Sequence, residues 1–243
     1  MNKQVRSGLI FAVALVAVIF AISKFAGETS PWAQGGGALG LGADIELISP
    51  NDAGAGVPLE RKLAVLEELG FTFTDAERSL VADYGVEDGG YADLLASLGL
   101  GNYDYDAWEW SPTSDQVFAL DTEVYDVGNM YPLFFQGLLT ISGLPITGVA
   151  QDDSRADWEE GTGILTVSLD YDGRPYSFDV VFNYDWLDCN VLKEVNAILA
   201  REGVEQRFYA CWNNFQGMTI FYRDADWARQ FEKKTGCRLF TEA

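Results

Sequence analysis

Histidine is absent from all 243 residues. Without an imidazole, the Ser-His-Asp and Cys-His forms of nucleophilic catalysis are excluded, and catalytic zinc loses its commonest ligand. Cysteine is scarce: Cys189, Cys211 and Cys237 all fall in the last quarter, and no C-x-x-C pair is present. Their spacing is wrong for zinc. They read either as buried thiols or, in an oxidising compartment, as one disulfide in any of three pairings with a thiol left over. No G-x-S-x-G, no S-x-x-K and no P-loop lysine occurs, so the common serine-nucleophile and phosphate-cradling signatures are missing as well.

Basic side chains are few, and unevenly placed. Between Ala43 and Glu160 only Arg61, Lys62, Arg78 and Arg155 stand against 24 Asp and Glu, a net charge of −20. From Gly161 to Ala243 nine bases meet 12 acids, a net of −3. A field of that sign repels phosphate backbones and anionic headgroups, so nucleic acid and peripheral lipid docking are disfavoured, while cations and basic partners are not. Solubility alone is also sufficient reason for an acid-rich surface, although it does not explain the concentration in one region.

Against this background the first residues stand out. Lys3 and Arg6 precede an uncharged run from Gly8 to Ile22, followed by Ser23, Lys24, Phe25 and Ala26. A basic head before an apolar core is read by membrane-insertion machinery, and the positive-inside rule keeps Lys3 and Arg6 cytoplasmic while the remainder is translocated. Fifteen apolar residues make a helix of about 22 Å, short of the roughly 30 Å hydrocarbon core, but flanking lysines and arginine snorkel and Phe25 extends the stretch. Ser23 offers only a weak cleavage site, with Ala21 two residues before it. A retained single-pass anchor meeting the membrane through residues 8–26 is favoured over a cleaved signal peptide, which would give a secreted protein.

Residues 27–57 read as a Gly-rich tether, with Gly35, Gly36, Gly37, Gly40 and Gly42 among them, spanning roughly 30 Å if flexible. Gly35 to Gly40 formally fits G-x-G-x-x-G, but no strand precedes it and no periodic helix follows. Pro58 opens a helix with Leu59, Leu63 and Leu66 on one face and Gly70 as its stop. Thr74 to Glu77 is a capping box for a second helix, and Tyr91 to Leu98 suits a third. About forty residues bury little core alone, so these helices must cover something else.

Further on, Gln116 to Leu120 suits a strand, the apolar run Met130 to Leu144 a buried helix beginning near Pro132, and Ile146 to Val149 a short strand. Ile164 to Tyr171 and Tyr176 to Tyr184 alternate as strands around the turn dipeptide Asp172-Gly173. A helix after Asp188, a hairpin of Arg207 to Trp212 with Met218 to Tyr222, and a helix capped by Asp224 complete the chain. Ser168, Asp170, Asp172, Gly173 and Asp179 mimic a calcium loop in spacing, but Pro175 and strand-like flanks exclude it. The fold class expected is α+β: a transmembrane helix or signal peptide (1–26), a linker (27–57), a helical subdomain (58–100), and a domain (101–243) whose last part runs β-β-α-β-β-α as one antiparallel sheet with helices on one face.

Two acidic-aromatic clusters are the candidate contact surface: Asp104, Asp106, Trp108, Glu109 and Trp110, then Asp152, Asp153, Asp157, Trp158, Glu159 and Glu160. Indole faces stack on sugar rings or cationic side chains, and adjacent carboxylates bind hydroxyls or neutralise a basic ligand. Candidate binding residues are therefore Trp108, Glu109, Trp110, Asp157, Trp158, Glu159 and Glu160, with no catalytic residue, metal or cofactor assigned. The function expected is a non-enzymatic, membrane-tethered extracytoplasmic protein that binds a partner at the cell envelope through this acidic surface, the candidate ligands being a basic protein or peptide, Ca²⁺ and a polysaccharide. The alternatives are an envelope polysaccharide binder or glycosidase using Glu109 with Asp157 or Glu160, and an immunity-type inhibitor of a basic partner.

Overall fold

A computed structural model describes residues 53–83, 89–104, 109–213 and 216–241. The expected anchor over residues 8–26, the tether as far as residue 52 and Trp108 lie outside the described residues. What is described is α+β. Among the described residues there are six α-helices: α1 (Leu59–Glu68), α2 (Asp75–Asp83), α3 (Tyr91–Gly99), α4 (Met130–Ser142), α5 (Val191–Arg201) and α6 (Ala225–Thr235). The strands are β1 (Asn102–Asp104), β2 (Glu109–Ser111), β3 (Phe118–Asp121), β4 (Ile146–Asp157), β5 (Thr162–Tyr171), β6 (Arg174–Asn183), β7 (Arg207–Trp212) and β8 (Gly217–Arg223).

Local chemistry explains the element ends. Gly70 follows α1 at φ +87°, a conformation open to glycine. The Thr74 hydroxyl accepts the Glu77 amide at 3.2 Å while the Glu77 carboxylate accepts the Thr74 amide at 2.8 Å, the reciprocal pair of a capping box. Asp172 and Gly173, at φ +48° and +75°, form the tight turn between β5 and β6. That hairpin disposes of the calcium-loop reading, since Asp170 and Asp179 lie in its strands. The Asp224 carboxylate accepts the Trp227 amide at 2.7 Å and starts α6. Asp188 differs from expectation. Helix α5 begins later, at Val191, and Asp188 instead accepts the amides of Asn190 at 3.0 Å and of Val181 at 2.8 Å, tying β6 to the helix.

The expectation of one sheet with helices on a single face is corrected. The long strands form two antiparallel sheets, ordered β4-β5-β6 and β3-β8-β7. Each hairpin recruits a third strand from upstream, and β4 runs to Asp157 through two bulges rather than ending near Val149. Helices cover both faces of β3-β8-β7. On one face Phe208, Ala210, Met218 and Ile220 join α4, α5 and the inner face of β4-β5-β6; on the other Cys211 and Phe221 join α1, α2, α3 and α6. For this reason β8 is buried from Gly217 to Phe221 without alternation. The layers are helix, sheet, helix, sheet. Among the described residues no helix is long and apolar enough to cross a membrane, and α4 is a core helix with Tyr131, Phe135 and Leu138 fully buried.

Two ring systems join the layers. Arg223 places its guanidinium 5.7 Å from the Phe71 ring centre and 5.6 Å from that of Trp227, and burial pushes its pKa below the ordinary value. Phe118 of β3 meets Trp110 edge-on at 5.7 Å and Phe134 at 6.2 Å. Its ring lies against Gly137 of α4, where a Cβ would overlap it. Gly137→Ala would raise helix propensity by at most about 1 kcal/mol, yet the pinned ring makes overpacking outweigh that gain. The variant is expected to lose about 1 to 3 kcal/mol in denaturant unfolding; an unchanged or raised midpoint would refute the close contact.

Candidate functional site

The two acidic-aromatic clusters have different fates. Trp110, on β2, is half-buried: its ring packs on Phe118 and its indole N–H donates to the Leu100 carbonyl at 2.8 Å. Gly101, at φ +69°, makes room for it, since a Cβ there would lie 2.5 Å from the indole nitrogen. Trp110 is thus engaged in packing. Glu109 pairs with Asp104 across β1 and β2.

Of the second cluster, Asp152 and Asp153 lie within β4, Asp157 ends that strand, and Trp158, Glu159 and Glu160 form the turn to β5. One Asp157 carboxylate oxygen accepts the amides of Glu159 and Glu160, each at 3.1 Å, which folds the chain back and leaves Trp158, Glu159 and Glu160 exposed. Trp158 keeps 50% of its surface in solvent although its ring centre lies 4.8 Å from that of buried Phe182. Together with Val127, Tyr184 and Asp185 these rings line a shallow cleft of about 180 Å³. It opens at the end of the β4-β5-β6 sheet, beside the start of α4.

Tyr184 is held in an unusual backbone conformation. Its φ is +50°, and it keeps 55% of its surface exposed. For a bulky residue this region costs on the order of 1 to 3 kcal/mol and persists only where surroundings enforce it. They do so here. The Tyr184 amide donates to the Gly161 carbonyl at 2.8 Å, its ring lies over Gly161 where a Cβ would collide, and the next carbonyl, of Asp185, accepts the Val124 amide at 2.7 Å. Trp186 then bridges to Glu123 and Asn183 and remains partly exposed, while Tyr125 stands almost wholly in solvent. The structure therefore brings Asp157, Trp158, Glu159 and Glu160 together with Tyr184 and Asp185, which the sequence reading missed. A signal was there. Asn183-Tyr184-Asp185-Trp186 repeats the acid-aromatic interleaving directly after an apolar strand.

Other chemistry is engaged elsewhere. A larger cleft of about 360 Å³ has Glu68, Leu69, Asp224 and Trp227 in its wall, but Asp224 caps α6, the Trp227 indole donates to the Leu69 carbonyl at 2.8 Å, and Glu68 pairs with Lys234 at 2.6 Å. Burial pushes the Cys189 thiol up to about 12 and raises Cys211 as well, which withholds the nucleophilic thiolate at neutral pH. Among the described residues no group of three or more Asp, Glu or Cys could hold a metal ion. Asp179 pairs with Arg155 on the outer face of the sheet, which holds its carboxyl below the ordinary value.

No family model matches the chain, and no curated protein or solved structure matches it. The cleft must be judged on its geometry. Because asparagine tolerates positive φ better than tyrosine, Tyr184→Asn is expected to hold or raise the denaturant midpoint. A loss above about 2 kcal/mol would show that the ring is kept for packing.

Proposed function

We propose that this chain is a membrane-tethered binding protein of the cell envelope, whose contact surface is the acidic, aromatic cleft at the end of the β4-β5-β6 sheet and whose partner is a basic polypeptide. The observation that carries the reading is Trp158: a large indole half in solvent, seated on Phe182 and ringed by the exposed Asp157, Glu159 and Glu160. Exposed aromatics amid depleted basic charge favour a cationic ligand, since ring faces and carboxylates attract the same sign. No catalytic role is assigned. One oxygen of the Asp157 carboxylate holds the turn, and histidine is lacking.

Placement outside the membrane rests on the run Gly8 to Ile22 behind Lys3 and Arg6. The full chain carrying a C-terminal tag should remain in the membrane pellet after an alkaline carbonate wash, and protease added to intact spheroplasts should remove the tag. Release into the wash, or a protected tag, would end the tether reading. For the surface, immobilised lysine decapeptide should retain the detergent-solubilised chain at low salt. Glu159→Lys with Glu160→Lys should weaken retention about tenfold at an unchanged melting temperature, because exposed charges contribute to steering more than to folding. Equal retention of the double variant would place the contact surface elsewhere.

A further inference from the structure

Building on that reading, we infer that the cleft between Trp158 and Tyr184 seats the side chain of an arginine presented by the basic partner. Size argues first. Pockets for drug-sized ligands run from about 300 to 1,000 Å³, whereas this cleft offers about 180 Å³, room for the end of one side chain and too little for a folded element or a cofactor.

Chemistry then selects the side chain. Trp158, Phe182 and Tyr184 supply ring surface, Val127 an apolar flank, and Asp185 the one ionisable group of opposite sign in the lining. A guanidinium is planar and weakly hydrated, so it leaves water for an aromatic face more readily than the compact, strongly hydrated lysine ammonium does. Indole is the strongest of the aromatic partners. The same chain already uses this pairing internally, with Arg223 over Phe71 and Trp227 and Arg78 over Phe73 at 5.7 Å. Trp158 and Tyr184 expose the same kind of ring, and no arginine among the described residues lies over either.

Charge complementarity fixes the sign of the occupant. The turn beside the cleft carries Asp157, Glu159 and Glu160, all exposed, and the region from Ala43 to Glu160 has the net charge of −20. The backbone conformation of Tyr184, enforced by the Gly161 and Val124 contacts, sets an exposed ring at the rim at a cost to the fold.

The experiment measures dissociation constants of the detergent-solubilised full chain for arginine decapeptide, lysine decapeptide and the hexamer of N-acetylglucosamine, by fluorescence anisotropy of labelled probes. Arginine decapeptide is expected to bind at least about fivefold tighter than the lysine peptide. Trp158→Ala and, separately, Tyr184→Asn should erase that preference, and Trp158→Phe should restore part of it. Circular dichroism melting of each variant confirms folding, and Tyr184→Asn supplies the test should Trp158→Ala fail to fold. Equal affinity for both peptides, or a preference that survives both variants, overturns the arginine seat and leaves the basic-partner reading standing. Binding of neither peptide overturns that reading and this one together. Tight binding of the saccharide, lost in Trp158→Ala, would overturn the arginine seat in favour of a sugar site.

Discussion

Strand β3 is squeezed between two helices, and the squeeze depends on two glycines. On one side Gly99 of α3 lies so close that a Cβ would sit 2.6 Å from the Ala119 amide nitrogen; on the other, Gly137 of α4 faces the Phe118 ring. Four residues thereby hold three layers in register. Phe118 turns toward the core between the sheets, Val117 toward the core of the outer helices, and the backbone of β3 pairs with β8. Interiors packed at crystal density transmit such constraints, because no layer can shift without opening a void or a clash elsewhere.

Much of this arrangement was legible in the sequence wherever one residue decides one local feature. Thr74 with Glu77, Asp172 with Gly173, Asp224 and Gly70 each act within a turn of chain, and each does what its chemistry dictates. The partition into two sheets was not legible. Pairing of β3 with β8 joins residues about a hundred positions apart, and nothing in Phe118 to Asp121 announces which hairpin it will join. One hint did exist in Met218, Ile220, Phe221 and Tyr222, which put apolar side chains on both faces with only Thr219 between them, since a strand covered on one face alternates and this one does not. Asp188 shows the opposite failure. A plausible cap two residues before Asn190 was drawn to the amide of Val181, a tertiary partner invisible along the chain.

The candidate site was half legible for the same reason. Trp158 and its neighbouring acids are contiguous, so composition alone marked them. Tyr184 and Asp185 arrive from the end of β6, brought alongside by the pairing of Thr162 with Asn183. Trp110 looked much like Trp158 in sequence, each beside acidic neighbours, yet its indole N–H and ring are consumed by Leu100 and Phe118. What separates the two is whether the surrounding chain offers a carbonyl and a ring to satisfy an indole, and that depends on fold.

The side chain of Gln151 gives the cleft a property of its own. Its carbonyl accepts the Tyr131 amide at 3.3 Å and its amide group donates to the Val127 carbonyl at 3.0 Å, so one residue of β4 clasps the entry to α4. Val127 and Trp158 both line the cleft; the first is tied to β4 through Gln151 and the second directly follows that strand. Anchoring of two lining residues to one strand limits how far the cleft can open or close, so a ligand entering it would surrender more freedom than the protein, and differences among ligands would fall mainly on how slowly each one leaves.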